Sequence, residues 1–155
     1  MNKKPHILFL FSDTGGGHRS ATEAIIEALH LEYGERFSME MVDFFKNYAP
    51  LPFNKVPDWY PEMVKAPRLW SASFHATDGR ARAQVITSTM WPAVRHAARQ
   101  LIRGHPADLI ISVHPLANTF AVRALSRPRV PFITVVTDMV STHALWFDER
   151  ADRIL

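Results

Sequence analysis

The chain has 155 residues, of which 47% are hydrophobic and 21% charged, and it contains no cysteine. This size and composition are typical of one globular domain with a sizeable core, and the lack of cysteine excludes disulfides and thiolate metal sites. The net charge is +3, and residues 44–105 carry nine Lys and Arg against three acidic residues. This basic excess suits an anionic membrane surface or a phosphate-rich partner, or else is a plain solvated face. No apolar stretch approaches the ~18 residues of a transmembrane helix, and the first one is too short for a signal peptide.

The first element is an apolar run over residues 7–11, which predicts a buried parallel strand. Gly15, Gly16 and Gly17 follow it. A helical pattern then extends from about Ser20 to Leu31, with an apolar stripe at Ala21, Ala24, Ile25, Ala28 and Leu29. A strand, a glycine turn and a helix indicate a ligand-binding loop, since free N–H groups at a helix start suit an anion. The glycine spacing fits neither the dinucleotide fingerprint nor the Walker loop. The alternative to a ligand-binding loop is a tight turn whose glycines only allow the strand and helix to pack closely.

The second strand is predicted over residues 37–43, with Asp43 at its end. Residues 44–73 then mix aromatic side chains with five prolines, which exclude one long helix and favour short helical turns. Aromatic residues with Lys and Arg between them indicate a lid over a cleft, an interfacial membrane contact or ordinary core. The candidates for lipid contact are Phe53, Trp59, Tyr60 and Trp70.

The longest helix is predicted over residues 80–103, where Pro92 should kink it or start a new helix. Val85 and Ile86 begin its apolar face, and Arg95, Arg99 and Arg103 form a stripe that is expected to be solvated. Strands are predicted over residues 108–113 and 132–137, a helix over 116–126, and the start of a fifth strand over 152–155. This alternation predicts an α/β fold, a Rossmann-like parallel sheet with helices on both faces.

Polar side chains follow every predicted strand and should meet at the carboxyl edge of the sheet. They are Asp13, Thr14, His18, Asp43, His114, Asp138 and His143. His18 stands out because a neutral imidazole at a helix start can accept a proton near neutral pH. The scattered spacing of the histidines and aspartates argues against a metal site. The sequence lacks the G-x-S-x-G elbow, which argues against a serine hydrolase.

Three ordered blocks, residues 12–21, 108–118 and 137–147, resemble motifs of the monogalactosyldiacylglycerol synthase family. Bacterial processive diacylglycerol glucosyltransferases share these blocks, and the lipid-II-forming N-acetylglucosaminyltransferase is a more distant relative with a similar Gly-Gly-His loop. The resemblance covers essentially the whole chain. In the third block it departs from the family, because His143 is followed by Ala144 rather than proline.

The resemblance implies an inverting glycosyltransferase of the two-domain GT-B architecture. Residues 1–155 would form its N-terminal, acceptor- and membrane-binding half, with residues 44–73 as a lid or membrane segment. The domain that holds the nucleotide sugar is expected to be absent from this chain, which alone should not complete catalysis. The implied partners are diacylglycerol, a UDP-sugar and an anionic membrane surface, with no cofactor, metal or nucleic acid. The expected location is cytoplasmic, peripheral on the membrane.

The same resemblance implies roles for individual residues. His18 would be the general base on the acceptor hydroxyl, and Asp13 or Asp138 would orient its imidazole. The loop that receives the acceptor or donor phosphate would comprise Thr14, Gly15, Gly16, Gly17 and Arg19. The acceptor cleft would include His114, Asn118 and His143, and Trp146 would belong to the lipid-facing surface.

Three rival functions remain at this stage. The chain could be a non-catalytic lipid- or membrane-binding module, or a glycosyltransferase domain whose acceptor is a polyprenyl-linked sugar. It could also be a nucleotide-binding α/β protein, which would bind a UDP-sugar without a further domain. The identity of the sugar, galactose or glucose, is left open.

Overall fold

A computed structural model describes residues 3–14, 16–125, 129–138 and 142–155 of the chain. It contains a parallel sheet of five strands in the order β2-β1-β3-β4-β5. The strands are β1 (His6–Phe11), β2 (Ser38–Asp43), β3 (Leu109–Ser112), β4 (Phe132–Thr134) and β5 (Arg153–Ile154). The helices are α1 (Gly17–Tyr33), α2 (Phe44–Asn47), α3 (Val56–Val64), α4 (Pro67–Thr77), α5 (Arg80–Gly104) and α6 (Pro115–Ala124).

The sheet is covered by helices on both faces because side chains alternate along each strand. Leu8 and Leu10 of β1 pack with Ile110 and Phe132 against helices α5 and α6. Ile7 and Phe9 point the other way and pack with Ile111 against α1. The predicted fold class is therefore confirmed.

The parallel register brings the carboxyl ends of the strands to one edge. Phe11 pairs with Asp43 across β1 and β2, and Leu10 pairs with Ser112 across β1 and β3. Ser112 pairs in turn with Thr134 of β4. The segments that follow these strands carry the candidate residues, so the expectation that they gather at one edge is met.

Helix α1 differs from its prediction in which stripe it buries. The side chains turned toward the sheet are Thr22, Ile25, Ile26 and Leu29, whereas the small side chains of Ala24 and Ala28 are exposed. Thr22 is fully buried because its hydroxyl donates to the carbonyl oxygen of His18 at 2.8 Å. Its polar atom is thereby satisfied, which lets a threonine occupy a core position.

Helix α5 runs through Pro92 as one helix of 25 residues, so the predicted alternative of a fresh start there is wrong. Pro92 is exposed, and so is Ser88, whose carbonyl loses its helical partner and can bind water instead. Val85 is also exposed (65%), and the buried face consists of other residues of the predicted stripe, among them Val94, Ala98 and Leu101.

Residues 44–77 form three short helices, as the prolines predicted. Pro57 and Pro67 occupy the first turns of α3 and α4, where a missing N–H costs nothing. Asp43 starts α2, because its side chain accepts the backbone N–H of Lys46 at 2.9 Å. The α3–α4 pair continues from the carboxyl edge that carries the candidate site.

Candidate active site

The glycine turn after β1 opens onto free space. Gly15 lies outside the described residues, while Gly16 has a φ of 79°, a left-handed conformation that favours glycine. Gly17 is the first residue of α1. A Cβ atom added at Gly16 or Gly17 would meet no atom within 4 Å, so the space in front of the turn is open in the described part of the chain. A ligand could approach the backbone here.

His18 lies half-buried at the start of α1, among groups from two other strands. Its Nδ1 atom is 3.0 Å from the hydroxyl oxygen of Thr137, which follows β4. Its ring lies edge-on to that of His114, 4.8 Å between centroids, and 6.0 Å from Trp146. Burial lowers the pKa of His18, while the charge of Asp138 and the backbone of Val113 act in the opposite direction. The imidazole is therefore mainly neutral at pH 7 and can accept a proton.

Asp138 is the carboxylate that acts on this imidazole. Its Oδ2 atom accepts the indole N–H of Trp146 at 2.6 Å. Asp13, the other candidate, is engaged elsewhere: Arg19 donates to its two oxygens at 2.7 and 2.6 Å. The expectation that Asp13 could orient His18 is therefore wrong in this structure, and the guanidinium of Arg19, expected in the phosphate loop, is paired with the Asp13 carboxylate. The guanidinium also lies over the Phe11 ring at 4.7 Å.

The loop between β1 and α1 is tied to β2. Asp43 is buried, and its Oδ2 atom accepts the backbone N–H of Asp13 at 2.9 Å. The side chain of Thr14 is buried as well, at 8% exposure, so it does not face an open acceptor site. Asp43 and Thr14 therefore stabilise the loop from its buried side and are not part of its exposed surface.

His114 and Asn118 are buried behind His18, which corrects their placement in an open acceptor cleft. His114 is 5% exposed and packs its ring on Phe45 at 5.3 Å, and Asn118 is fully buried. Burial, and then the neighbouring charge of His18, lowers the pKa of His114 well below its usual range. The helix α6 that carries Asn118 packs directly on the sheet, which closes access to both side chains.

A layer of buried polar groups lies at this end of the sheet. Leu8 and Leu10 face α6, and the alternation continues with Ser12; Ser112 and Thr134 occupy the same face of β3 and β4. Among the described residues, several buried polar atoms have no hydrogen-bond partner. They include Ser12 Oγ, His114 Nδ1, Thr134 Oγ1 and both amide atoms of Asn118. We call this group the polar layer.

His143 is also buried, at 8% exposure, and it packs against α4 rather than facing a cleft. Its Nδ1 atom accepts the backbone N–H of Leu145 at 3.1 Å, which leaves the proton of the neutral ring on Nε2, 3.1 Å from the hydroxyl of Thr77. Its ring packs edge-on against Phe74 of α4 at 5.1 Å. Burial lowers its pKa, against the charges of Asp78 and Asp138.

The residues predicted to face lipid divide into two groups. Trp59 and Trp70 are 50% and 37% exposed on the α3–α4 pair, where Tyr60 meets Trp70 edge-on at 5.5 Å. Phe53 is partly buried against the main core. Trp146 is fully buried, so its assignment to a lipid-facing surface is wrong: the indole satisfies its N–H on Asp138 and packs under α6 and α5.

Sequence reasoning missed two participants, Thr137 and the structural role of Trp146. Thr137 could have been found, because a hydroxyl just before the strand-end Asp138 reaches the same edge. No group of three potential metal ligands occurs within the described ranges. A cavity of about 480 Å³ lies elsewhere, between α5, α6 and residues 144–150. Of its three arginines, Arg80 and Arg150 are paired with Glu149 and Asp148, and Arg123 lies over the Trp91 ring at 4.5 Å.

Together, the parallel sheet, the open glycine turn and a neutral histidine beside a fixed carboxylate define a Rossmann-like α/β domain with a candidate base at its carboxyl edge. The family model described as "Monogalactosyldiacylglycerol (MGDG) synthase" matches residues 18–155. The chain belongs to the monogalactosyldiacylglycerol synthase family, and the resemblance seen in its motifs is confirmed.

Individual relatives agree along nearly the whole chain. "Probable monogalactosyldiacylglycerol synthase 2, chloroplastic" of Oryza sativa subsp. indica is 35% identical over 153 residues, which are 96% of this chain and 32% of the relative. Monogalactosyldiacylglycerol synthase 1, chloroplastic, of Arabidopsis thaliana is 36% identical, over 95% of this chain and 28% of its own length. Monogalactosyldiacylglycerol synthase, chloroplastic, of Spinacia oleracea is 37% identical, over 95% of this chain and 29% of its own length. The chain thus spans about 30% of the curated relatives it matches.

Proposed function

We propose that this chain is the acceptor-side domain of an inverting glycosyltransferase that moves a hexose from a UDP-sugar to diacylglycerol. Residues 1–155 then form the N-terminal half of a GT-B enzyme, and the nucleotide sugar is held mainly by a region corresponding to the rest of the relatives' length. Membership of a family named for monogalactosyldiacylglycerol synthesis supports this proposal.

The observation that carries the proposal is the position of His18. It lies beside Gly16 and Gly17, which border open space, and its pKa is lowered by burial. In the proposed reaction a diacylglycerol hydroxyl attacks the anomeric carbon from the face opposite UDP. The new bond joins the hydroxyl oxygen to that carbon, the bond from the carbon to the phosphate oxygen breaks, and His18 takes the hydroxyl proton. UDP leaves as an anion, and the configuration inverts.

The α3–α4 pair provides the proposed membrane contact. Its exposed apolar side chains are Trp59, Met63, Val64, Leu69 and Trp70. Three exposed cations accompany them: Lys55 and Lys65 pair with Asp58 and Glu62, and Arg68 adds the net positive charge of the α3–α4 pair. An apolar face rimmed by cations is suited to the headgroup region of an anionic bilayer. No helix in the described parts of the chain is long and apolar enough to cross a membrane. The three relatives described are named as chloroplastic, and the cytoplasmic location expected for this chain stays a prediction.

The first experiment measures what this chain binds. We expect it to co-sediment with anionic vesicles that contain diacylglycerol, and calorimetry should detect no binding of UDP-galactose or UDP-glucose. Tight binding of either sugar nucleotide to the chain would favour the rival of a nucleotide-binding α/β protein. Equal binding to neutral and anionic vesicles would remove the electrostatic part of the membrane contact.

The second experiment tests His18 in an enzyme that joins this chain to the remaining region of one of its relatives. Replacing His18→Ala should lower transfer of the sugar to diacylglycerol by about 100-fold or more, which is the contribution of a general base. The matched control is His96→Ala on the exposed face of α5. Turnover close to that of the parent would contradict the assignment. Transfer only to a polyprenyl-linked sugar would favour that acceptor, and vesicle binding with no transfer by any such fusion would favour the non-catalytic module.

A further inference from the structure

Trp146 occupies an unusual position for a residue near a sheet edge. It is the largest fully buried side chain among the described residues, and it lies in a short 3-10 turn, Ala144–Trp146. Its indole N–H is directed at the Asp138 carboxylate at 2.6 Å. A charge-assisted hydrogen bond of this length in a partly buried setting is among the stronger kinds in proteins.

The same carboxylate belongs to the surroundings of His18. Thr137 places its hydroxyl 3.0 Å from His18 Nδ1, and Asp138 is the next residue along the chain. The titratable groups that face the imidazole are Asp138 and, on the side of α6, His114. Asp13 and Arg19, on its own side of the loop, pair with each other. Among the described residues, Asp13 is held by its ion pair with Arg19, whereas the Asp138 carboxylate near His18 is oriented by the indole of Trp146.

The turn that carries Trp146 is held from outside as well. Asp78, between α4 and α5, accepts the backbone N–H of Ala144 at 2.8 Å. His143 bridges Leu145 and Thr77 through its two ring nitrogens. The backbone of the turn that carries the indole is therefore held by hydrogen bonds, which help to fix the direction of the indole N–H.

We propose that Trp146 is a positioning residue, whose indole N–H holds the Asp138 carboxylate beside His18 so that the carboxylate and the imidazole act as one unit. This inference rests on the proposed function for its role in the reaction. The physical coupling itself can be measured in the chain without any substrate.

The test is an NMR titration of the His18 ring. We expect Asp138→Asn to lower the pKa of His18, because it removes the charge that favours the imidazolium. Replacing Trp146 by benzothienylalanine, which has sulfur in place of the N–H and nearly the same shape, frees the carboxylate to turn toward water. This should lower the pKa of His18 in the same direction, by about half a unit or more. In the Asp138→Asn background the same replacement should have no further effect.

Two controls separate positioning from packing. Trp146→Phe removes both the donor and volume, whereas Phe120→Leu removes only volume from another fully buried site. We expect the first to reproduce the shift of the benzothienyl variant and the second to leave the His18 titration unchanged. An unchanged His18 pKa in the benzothienyl variant, or additive effects with Asp138→Asn, would overturn the inference.

The outcome is distinguishable from the fate of the proposed function. If the titrations show the coupling but no fusion transfers sugar, the positioning stands and the proposed reaction fails. If fusions transfer sugar and the benzothienyl variant transfers at the parent rate with the parent pH profile, the reaction stands and Trp146 has no positioning role.

Discussion

Asp13 and Asp138 look equivalent in the sequence, yet their partners give them different tasks. The hydrogen bond from Arg19 lowers the pKa of Asp13, although burial acts in the other direction. The backbone N–H of Asp13 also binds Asp43. The Asp13 carboxylate therefore ties the end of β1 to Arg19 at the start of α1, while Asp138 contributes the negative charge near His18.

Replacing Asp13→Asn should separate these tasks. We expect the free energy of unfolding to fall by about 1 kcal/mol or less, because the pair with Arg19 is partly exposed to water. The pKa of His18 should stay at its parent value, in contrast to its fall in Asp138→Asn. Urea denaturation and NMR titration measure the two effects. A shift of His18 as large in Asp13→Asn as in Asp138→Asn would contradict this division.

At the residue scale, strand-end reasoning found His18 and Asp138 because polar residues after parallel strands meet at one edge. It could not choose between Asp13 and Asp138, since the choice depends on where Arg19 folds back. Trp146 was misplaced for a similar reason. A tryptophan in a loop after a strand suits a lipid-facing surface when only the sequence is known, but the carboxylate that satisfies its N–H is visible only in three dimensions.

At the scale of elements, the α3–α4 pair makes the membrane prediction testable. Replacing Trp59→Ser together with Trp70→Ser should weaken binding to anionic vesicles by about tenfold or more, because both indoles are half-exposed and would insert at the headgroup level. The matched control is Leu31→Ser, an equally apolar but 81% exposed residue on α1. Vesicle flotation with both proteins at one lipid concentration provides the measurement. Equal losses in the control would assign binding to general surface apolarity.

Most helices and strands were predictable from the prolines and glycines that separate them. The five prolines correctly excluded one long helix over residues 44–73, and α5 ends at Gly104, one residue beyond its predicted end. The failures have physical causes. A periodicity count treats Thr22 as polar, although its hydroxyl is satisfied inside its own helix. It also treats Pro92 as a break, although an exposed proline leaves a carbonyl that water can reach.

At the scale of the whole molecule, three histidines, the half-buried His18 and the buried His114 and His143, set a pH dependence of stability. Burial lowers the pKa of His18, His114 and His143, so each binds its proton more weakly in the folded than in the unfolded chain. The unfolded chain then holds more protons below about pH 6.5, and the free energy of unfolding should fall as the pH drops from 7 to 5. Each histidine contributes at most about 1.4 kcal/mol per pH unit.

Urea denaturation at pH 5, 6 and 7 checks this slope. His114→Gln should flatten it, and His96→Gln on the exposed face of α5 should leave it unchanged. The carboxylates with a lowered pKa, such as Asp13 and Asp152, act in a lower window because their stabilisation is lost only as pH falls below about 4. A stability that is constant between pH 5 and 7 would contradict the burial of the histidines.

The arrangement of the whole sheet was predictable only in class. Alternating apolar runs and helical stripes require a parallel sheet covered on both faces. The order β2-β1-β3-β4-β5 depends on which way each crossover turns, and right-handedness restricts that choice without fixing it. Likewise, the sequence indicates which residues follow the strands but not that α6 packs its Asn118 side chain out of reach of solvent.

The polar layer between α6 and the sheet has a consequence for the opening motions of the domain. Internal water molecules usually bind to buried hydroxyl and amide groups that have no protein partner, as at Ser12, Asn118 and Thr134. Because α6 covers this face of the sheet, we expect such molecules to exchange with solvent when α6 lifts from it. Their residence time, measured by magnetic relaxation dispersion, should therefore follow the opening rate of that helix, and residence times of bulk-like brevity would mean that the layer is dry.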